Sequence, residues 1–118
     1  SIGKENQFVI DKDATIKDNT VIGSNTNISS DSTIHGPVII GINCKIGPNV
    51  RLGPNVSVGN NSILKNCNIE NSILMEDCKI SANICLSNSI IANGSQIETN
   101  NEQSKHELLL GERSQLKI

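Results

Sequence analysis

An all-β chain wound into a triangular prism of stacked coils is what this sequence predicts, on three observations. Large aliphatics recur at every sixth position: Ile10, Ile16, Ile22, Ile28, Ile34, Ile40, Ile46, Leu52 and Val58. Three residues after each stands an Asn or Asp, in eight cases of nine. Past Val58 the recurrence becomes seventeen residues, which is three hexads less one residue. An α-helix would need spacings of three and four, and an ordinary sheet would need steady alternation over longer strands. A repeated supersecondary unit stacked on its own copies fits instead.

Each hexad reads as a short strand and a corner. The aliphatic points inward. The third position holds Asp13, Asn19, Asn25, Asp31, Asn43, Asn49, Asn55 and Asn61, the residue types that best tolerate left-handed backbone. The exception, Pro37, follows Gly36, which can supply the unusual dihedral itself. The fourth position is small or β-branched (Ala14, Thr20, Thr26, Ser32, Val38, Cys44, Val50, Val56, Ser62) and fills the corner.

Three hexads close one turn, giving three inward columns over about five coils of 17–18 residues. They are Ile10, Ile28, Ile46, Ile63, Ile80 and Ile97; Ile16, Ile34, Leu52, Ile69 and Leu86; and Ile22, Ile40, Val58, Leu74 and Ile91. "IENSIL" (69–74) and "LSNSII" (86–91) are the same segment one coil apart, with one hexad shortened to five residues. Residues 1–9 are expected to form a linker or N-terminal cap, 10–97 the prism, 98–107 a polar loop, and 108–118 a capping hexad. That last segment repeats the grammar at Leu110, Gly111, Ser114 and Leu116.

Composition agrees and excludes some functions. Phe8 is the sole aromatic residue, so the core is stacked β-branched aliphatics in place of varied shapes. The net charge is −2 without a charged block, which argues against nucleic acid as a partner. Apolar runs this short cannot span a bilayer, and "SIGKENQF" lacks the apolar stretch of a signal peptide.

The hexad pattern resembles the left-handed parallel β-helix of hexapeptide-repeat proteins, and the left hand is implied by that resemblance alone. "GPVIIG" (36–41), Ile46-Gly47, "GPNVSVG" (53–59), "IENSIL" and the ending "LLLGERSQLKI" are together similar to the C-terminal β-helix of long-form glucose-1-phosphate thymidylyltransferases and other sugar-1-phosphate nucleotidyltransferases. Glu112 stands where that family's ending usually has Asp. The resemblance implies a parent that joins a nucleoside triphosphate, with dTTP expected, to glucose 1-phosphate and releases pyrophosphate. It also implies that this work, with a divalent metal (Mg expected), belongs to an N-terminal α/β domain. This chain has no Gly-rich strand-to-helix loop, so no catalytic residue is carried over and no cofactor is expected here. Starting mid-register at Ser1, it reads as the C-terminal part of such a protein.

Single residues support bland roles. Cys44, Cys67 and Cys78 fall at inward corner positions and Cys85 at an outward one, as inert thiols consistent with a reducing cytoplasm. His35 faces outward in a vertical row with Lys17, Gly53 and Glu70, and His106 lies in the C-terminal segment. Both are weak candidates for the general base of a hexapeptide-repeat acyltransferase, which would act on an amino-sugar phosphate with acetyl-CoA. Two separated histidines cannot form a three-histidine zinc site. Gly23, Gly41, Gly47, Gly53 and Gly59 follow inward aliphatics, so backbone geometry explains them, and Glu70, Glu76 and Asp77 sit at solvated positions.

Three functions compete: an oligomerising structural domain of a nucleotidyltransferase, an acyltransferase, and a freestanding scaffold. Val9, Val21, Ile39, Ile73, Ile84 and Ile90 are apolar at positions outside the inward columns. Val21 and Ile39 in particular should face out, and an exposed strip there would mark a contact with a second copy (dimer or trimer) or with the N-terminal domain.

Overall fold

The computed structural model describes residues 8–98 and the backbone of 104–106, 109–110 and 115–117. Nineteen strands are connected so that each pairs in parallel with the strand three places on. The first coil is β1 (Phe8–Ile10), β2 (Thr15–Lys17) and β3 (Thr20–Ile22). The second is β4 (Thr26–Ile28), β5 (Thr33–His35) and β6 (Val38–Ile40). The third is β7 (Lys45–Ile46), β8 (Arg51–Leu52) and β9 (Val56–Val58). The fourth is β10 (Ile63–Lys65), β11 (Asn68–Glu70) and β12 (Ser72–Leu74), and the fifth β13 (Lys79–Ser81), β14 (Ile84–Ser87) and β15 (Ile90–Ile91). β16 (Gln96–Glu98), β17 (Ser104–His106), β18 (Leu109–Leu110) and β19 (Gln115–Lys117) carry the winding past the fifth coil. The result is three parallel sheets of seven, six and six strands, the faces of a triangular prism.

Two of the three inward columns stand as the spacing predicts. Ile16, Ile34, Leu52, Ile69 and Leu86 pair rung on rung, as do Ile22, Ile40, Val58, Leu74 and Ile91. From Ile28 upward the described inward side chains are almost wholly buried, while Ile16 and Ile22 are partly so and Ile10 is 38% exposed in the first coil.

The first column needs a correction. Ile46 pairs with Leu64, which pairs with Ile80, so Leu64 is the buried residue and Ile63 faces outward. The six-residue step continues from Val58 to Leu64, and the shortening falls at the next two corners. There the left-handed residue comes two places after the aliphatic instead of three: Asn66 after Leu64 (φ 56°) and Asn71 after Ile69 (φ 48°). Asn88 after Leu86 repeats this (φ 54°). Removing one corner residue gives the five-residue step, and the strands keep their register.

The corner residues follow with exceptions. Asn25, Asp31, Asn43, Asn49, Asn55 and Asn61 have φ between 57° and 64°. Asp13 and Asn19 do not take this conformation, and Asp18 adopts it in place of Asn19. Gly36 has no positive φ either. Its requirement is space, since a Cβ there would lie 2.7 Å from the backbone nitrogen of Asn19 in the coil below.

The expected polar loop at 98–107 is also corrected. Glu98 ends β16, and Ser104–His106 forms β17, paired with β14 in parallel. The backbone of Leu110 is in register with Ile91 and that of Leu116 with Ile97, so β18 and β19 continue the winding. The expected cap at 1–9 lies outside the described residues except for Phe8 and Val9, which belong to β1.

Candidate functional site

Because side chains alternate along a strand, every inward aliphatic leaves its neighbours pointing out. The outward rows of the three faces differ in chemistry. The first face carries Val9, Asn27, Lys45, Ile63, Lys79 and Gln96 in one vertical row. The second carries Thr15, Thr33, Arg51, Asn68 and Cys85 in one row, with Lys17 and His35 beginning another. The third carries Val21, Ile39, Ser57, Ile73 and Ile90, with no ionisable group.

Four of those five are apolar yet open: Val21 is 61% exposed, Ile39 57%, Ile73 49% and Ile90 47%. Ile42 (41%) and Met75 (43%) lie at the adjoining corner. Val21, Ile39, Ile73 and Ile90 therefore form the exposed strip expected from the sequence. Ile84 does not join it: it is fully buried, because it opens β14 at a corner position in line with Val50 and Cys67. Val9 is exposed but belongs to the first face.

The second face holds the groups with chemical potential. His35 Nε2 lies 3.0 Å from Asp18 Oδ2, with both side chains more than half exposed. Above them Gly53 (φ 106°) lies tight against the coil below, since a Cβ there would collide with the His35 carbonyl oxygen. Beside it is a cleft of about 230 Å3 lined by Arg51, Asn68, Glu70, Cys85 and Ser87, among others. Asn68 Nδ2 donates to Cys85 Sγ at 3.5 Å, and the buried Ser87 Oγ has no hydrogen-bond partner. The cleft was not legible in the sequence, because the stacking of three coils brings its lining together. His35 does not line it. His106 aligns with Leu86, four coils from the rung of His35 and so about 19 Å away along the prism; its side chain lies outside the described residues. The two histidines are not brought together.

The cysteines sit as predicted. Cys44 and Cys78 occupy one buried corner row with Thr26, Ser62 and Ser95, and hydrogen bonds link its levels. Cys44 N–H donates to Thr26 Oγ1 (3.1 Å) and its thiol to the Gly59 carbonyl (3.2 Å). Cys78 N–H donates to Ser62 Oγ (3.3 Å) and its thiol to the Met75 carbonyl (3.3 Å). Burial pushes all three inner thiols up, Cys67 to about 12 and Cys78 to about 11, so they stay protonated and unreactive. Cys85 is half-buried. Among the described residues no three His, Cys, Asp or Glu side chains cluster as metal ligands, so these residues do not fit a catalytic divalent cation. Glu70 sits on the second face, whereas Glu76 and Asp77 lie at the corner after the third.

A prism of stacked hexads in three parallel sheets defines a class: a hexapeptide-repeat β-helix domain. More narrowly, the chain belongs to the GMPPB C-terminal domain family, whose profile matches residues 34–117. It is thus a nucleotidyltransferase C-terminal domain with a left-handed β-helix fold. No curated protein matches it in sequence. Among solved structures it is similar to PerB from Caulobacter crescentus, in complex with CoA and GDP-perosamine, at 16% identity and a TM-score of 0.71, over 86% of this chain and 49% of that one. A mutant of GDP-perosamine N-acetyltransferase from the same organism, also with CoA and GDP-perosamine, gives 18% identity and a TM-score of 0.75 over the same shares. At these identities the likeness is one of fold, and the chain spans about half the length of those structures.

Proposed function

We propose that this chain is the structural and oligomerising domain of a sugar-1-phosphate nucleotidyltransferase. In the whole protein an N-terminal α/β domain would join a nucleoside triphosphate to a sugar 1-phosphate and release pyrophosphate. dTTP and glucose 1-phosphate, with Mg as the divalent ion, are the first reactants to test, and the cytoplasm is the compartment that goes with this reading. One observation carries the reading: the third face exposes Val21, Ile39, Ile73 and Ile90 in one row without a charge. Interface cores are depleted of charge, and contiguous apolar patches on soluble proteins mark contacts. Light scattering on the purified chain should give the mass of a dimer or trimer. A monomer at high concentration would remove the reading's support.

A second reading, acyl transfer from acetyl-CoA to an amino-sugar phosphate, is favoured by the His35–Asp18 pair, since a carboxylate can orient an imidazole as general base. The fold neighbours that bind CoA are its other support. Thiol release from acetyl-CoA in the presence of glucosamine 1-phosphate, abolished by His35→Ala or His106→Ala, would establish it. Absence of turnover leaves the structural reading.

A further inference from the structure

The cleft on the second face is a slot between two rows of outward side chains. Arg51, Asn68 and Cys85 form one wall, level on level, and Glu70 and Ser87 the other. The residues between them, Ile69 and Leu86, point inward, so the floor is strand backbone. The walls stand two residues apart along the strands, roughly 6.6 Å, and successive levels are about 4.8 Å apart. The floor's N–H and carbonyl groups are spent on the sheet, so the walls supply the hydrogen bonding.

Ser87 marks the slot as more than a surface furrow. It follows the inward Leu86 and stands level with Glu70, an outward position, yet it is only 3% exposed. Among the described residues its Oγ has no hydrogen-bond partner. Comparable buried hydroxyls are satisfied locally: Ser72 Oγ donates to the Glu70 carbonyl (2.8 Å), Ser89 Oγ to the Ser87 carbonyl (2.8 Å) and Ser95 Oγ to the Ala92 carbonyl (2.7 Å). A buried hydroxyl left unmatched costs stability, and in a native fold it calls for an explanation.

The charges give a second observation. Arg51 and Glu70 line the same cleft, one level and two residues apart, with about 8 Å between their Cα atoms. Side chains of that length can meet, but among the described residues neither is paired with an opposite charge. We propose that this slot binds a compact zwitterion, a free α-amino acid, with its carboxylate on the Arg51 guanidinium, its ammonium on Glu70 and the Ser87 hydroxyl completing the hydrogen bonding. A guanidinium takes a carboxylate through two parallel N–H donors, and the Glu70 carboxylate, which only accepts, suits an ammonium. A phosphate dianion would gain Arg51 and be repelled by Glu70, and a simple cation would meet the reverse. The pair therefore selects a ligand carrying both signs. The volume, about 230 Å3, falls below the ~300 Å3 at which sites for drug-sized ligands begin, and it leaves room for a small side chain beside the two charges. The slot lies on another face from the apolar strip and does not depend on self-association, so its failure would leave the oligomerising reading untouched.

Cys85 is the reporter. It lines the cleft half-buried, whereas Cys44, Cys67 and Cys78 are buried. The rate of its alkylation by iodoacetamide is measured on the whole chain with and without each common L-α-amino acid at about 10 mM, a level suited to the millimolar affinity of exposed charges. At least one amino acid should slow alkylation about threefold or more, the factor for a Kd of about 5 mM, while acetate and methylammonium at the same concentration should not. Arg51→Gln and Glu70→Gln, both at exposed positions, should each remove the protection. Ser87→Ala should weaken the protection too, and should leave the urea midpoint unchanged or raise it, because it removes an unmatched hydroxyl. The proposal is overturned if no amino acid slows alkylation, or if acetate protects as well as the amino acid does. Protection that survives Arg51→Gln and Glu70→Gln, or a lowered urea midpoint in Ser87→Ala, overturns it as well.

Discussion

The side-chain Oδ1 of Asn60 accepts a 2.9 Å hydrogen bond from the backbone N–H of Ile42, one coil below. Asn60 Nδ2 also donates to Glu76 Oε2 (3.3 Å) in the coil above, and Glu76 N–H donates to Asn93 Oδ1 (2.8 Å) in the coil after that. One corner of the prism is therefore stapled by side chains over four levels. Gly41 makes the contact possible: a Cβ there would lie 2.9 Å from the Asn60 backbone nitrogen. Stacked coils have only their nearest neighbours for support, so each staple holds a local interface. Asn60→Ala should lower the unfolding free energy by about 1 kcal/mol, the net worth of a partly exposed hydrogen bond. A urea midpoint unchanged from the parent would show that water replaces the amide at no cost.

Much of this fold was legible because hexad spacing maps directly onto inward position, and the pairing of Ile16, Ile34 and Leu52 follows from counting alone. Ile63 was misread for a physical reason. Ile63 and Leu64 are both aliphatic, and seventeen-residue steps run unbroken through Ile46, Ile63, Ile80 and Ile97. What decides between them is where the chain drops a corner residue, and Asn66 with its positive φ places that after Leu64. Polar composition concealed β17, whose existence depends on backbone pairing with β14 and not on an apolar residue. The apolar strip was visible as residues preceding inward ones.

That register makes a sharp prediction for two adjacent residues. Leu64 is fully buried between Ile46 and Ile80, so Leu64→Ala should cost about 2–5 kcal/mol through lost burial and an unfilled cavity. Ile63→Ala, on the outer surface beside Lys45 and Lys79, should cost less than about 1 kcal/mol. Denaturant unfolding of both variants checks the difference. The reverse order would restore the even seventeen-residue column.

Two corner positions of the third coil separate backbone conformation from side-chain chemistry. Gly53 has φ 106°, and a Cβ there would also lie 2.8 Å from the carbonyl carbon of His35. Gly53→Ala should cost at least about 2 kcal/mol, since a side chain is disfavoured at that φ and the obstacle is backbone. Asn55 has φ 63°, within reach of Asn, and its Nδ2 donates to Asn71 Oδ1 at 3.0 Å. Asn55→Gly should be nearly neutral, because glycine regains in conformational ease what the amide contact loses, whereas Asn55→Ala should cost about 1–2 kcal/mol. Thermal midpoints should fall from Asn55→Gly through Asn55→Ala to Gly53→Ala, and an Asn55→Ala chain as stable as Asn55→Gly would refute the conformational account.

The buried thiols predict how stability changes at alkaline pH. Desolvation favours the neutral thiol, holding Cys67 at about 12 and Cys78 at about 11 against an ordinary value of 9.0. Above pH 9 the unfolded chain loses protons that the folded chain keeps, so the folded state binds more protons and stability declines as pH rises. The contribution is fully present below pH 9 and is lost as the pH climbs through about 11 for Cys78 and about 12 for Cys67. Each thiol adds at most about 1.4 kcal/mol per pH unit to that slope. Urea midpoints between pH 8 and 10.5 should fall for the parent chain and fall less for Cys67→Ala. At pH 8 an aromatic disulfide reagent should modify Cys85 well before the other three, which should react only as the coils separate in denaturant. Rapid modification of all four thiols in the native chain would mean that the corner rows open to solvent without unfolding, and the pH dependence would then vanish with them.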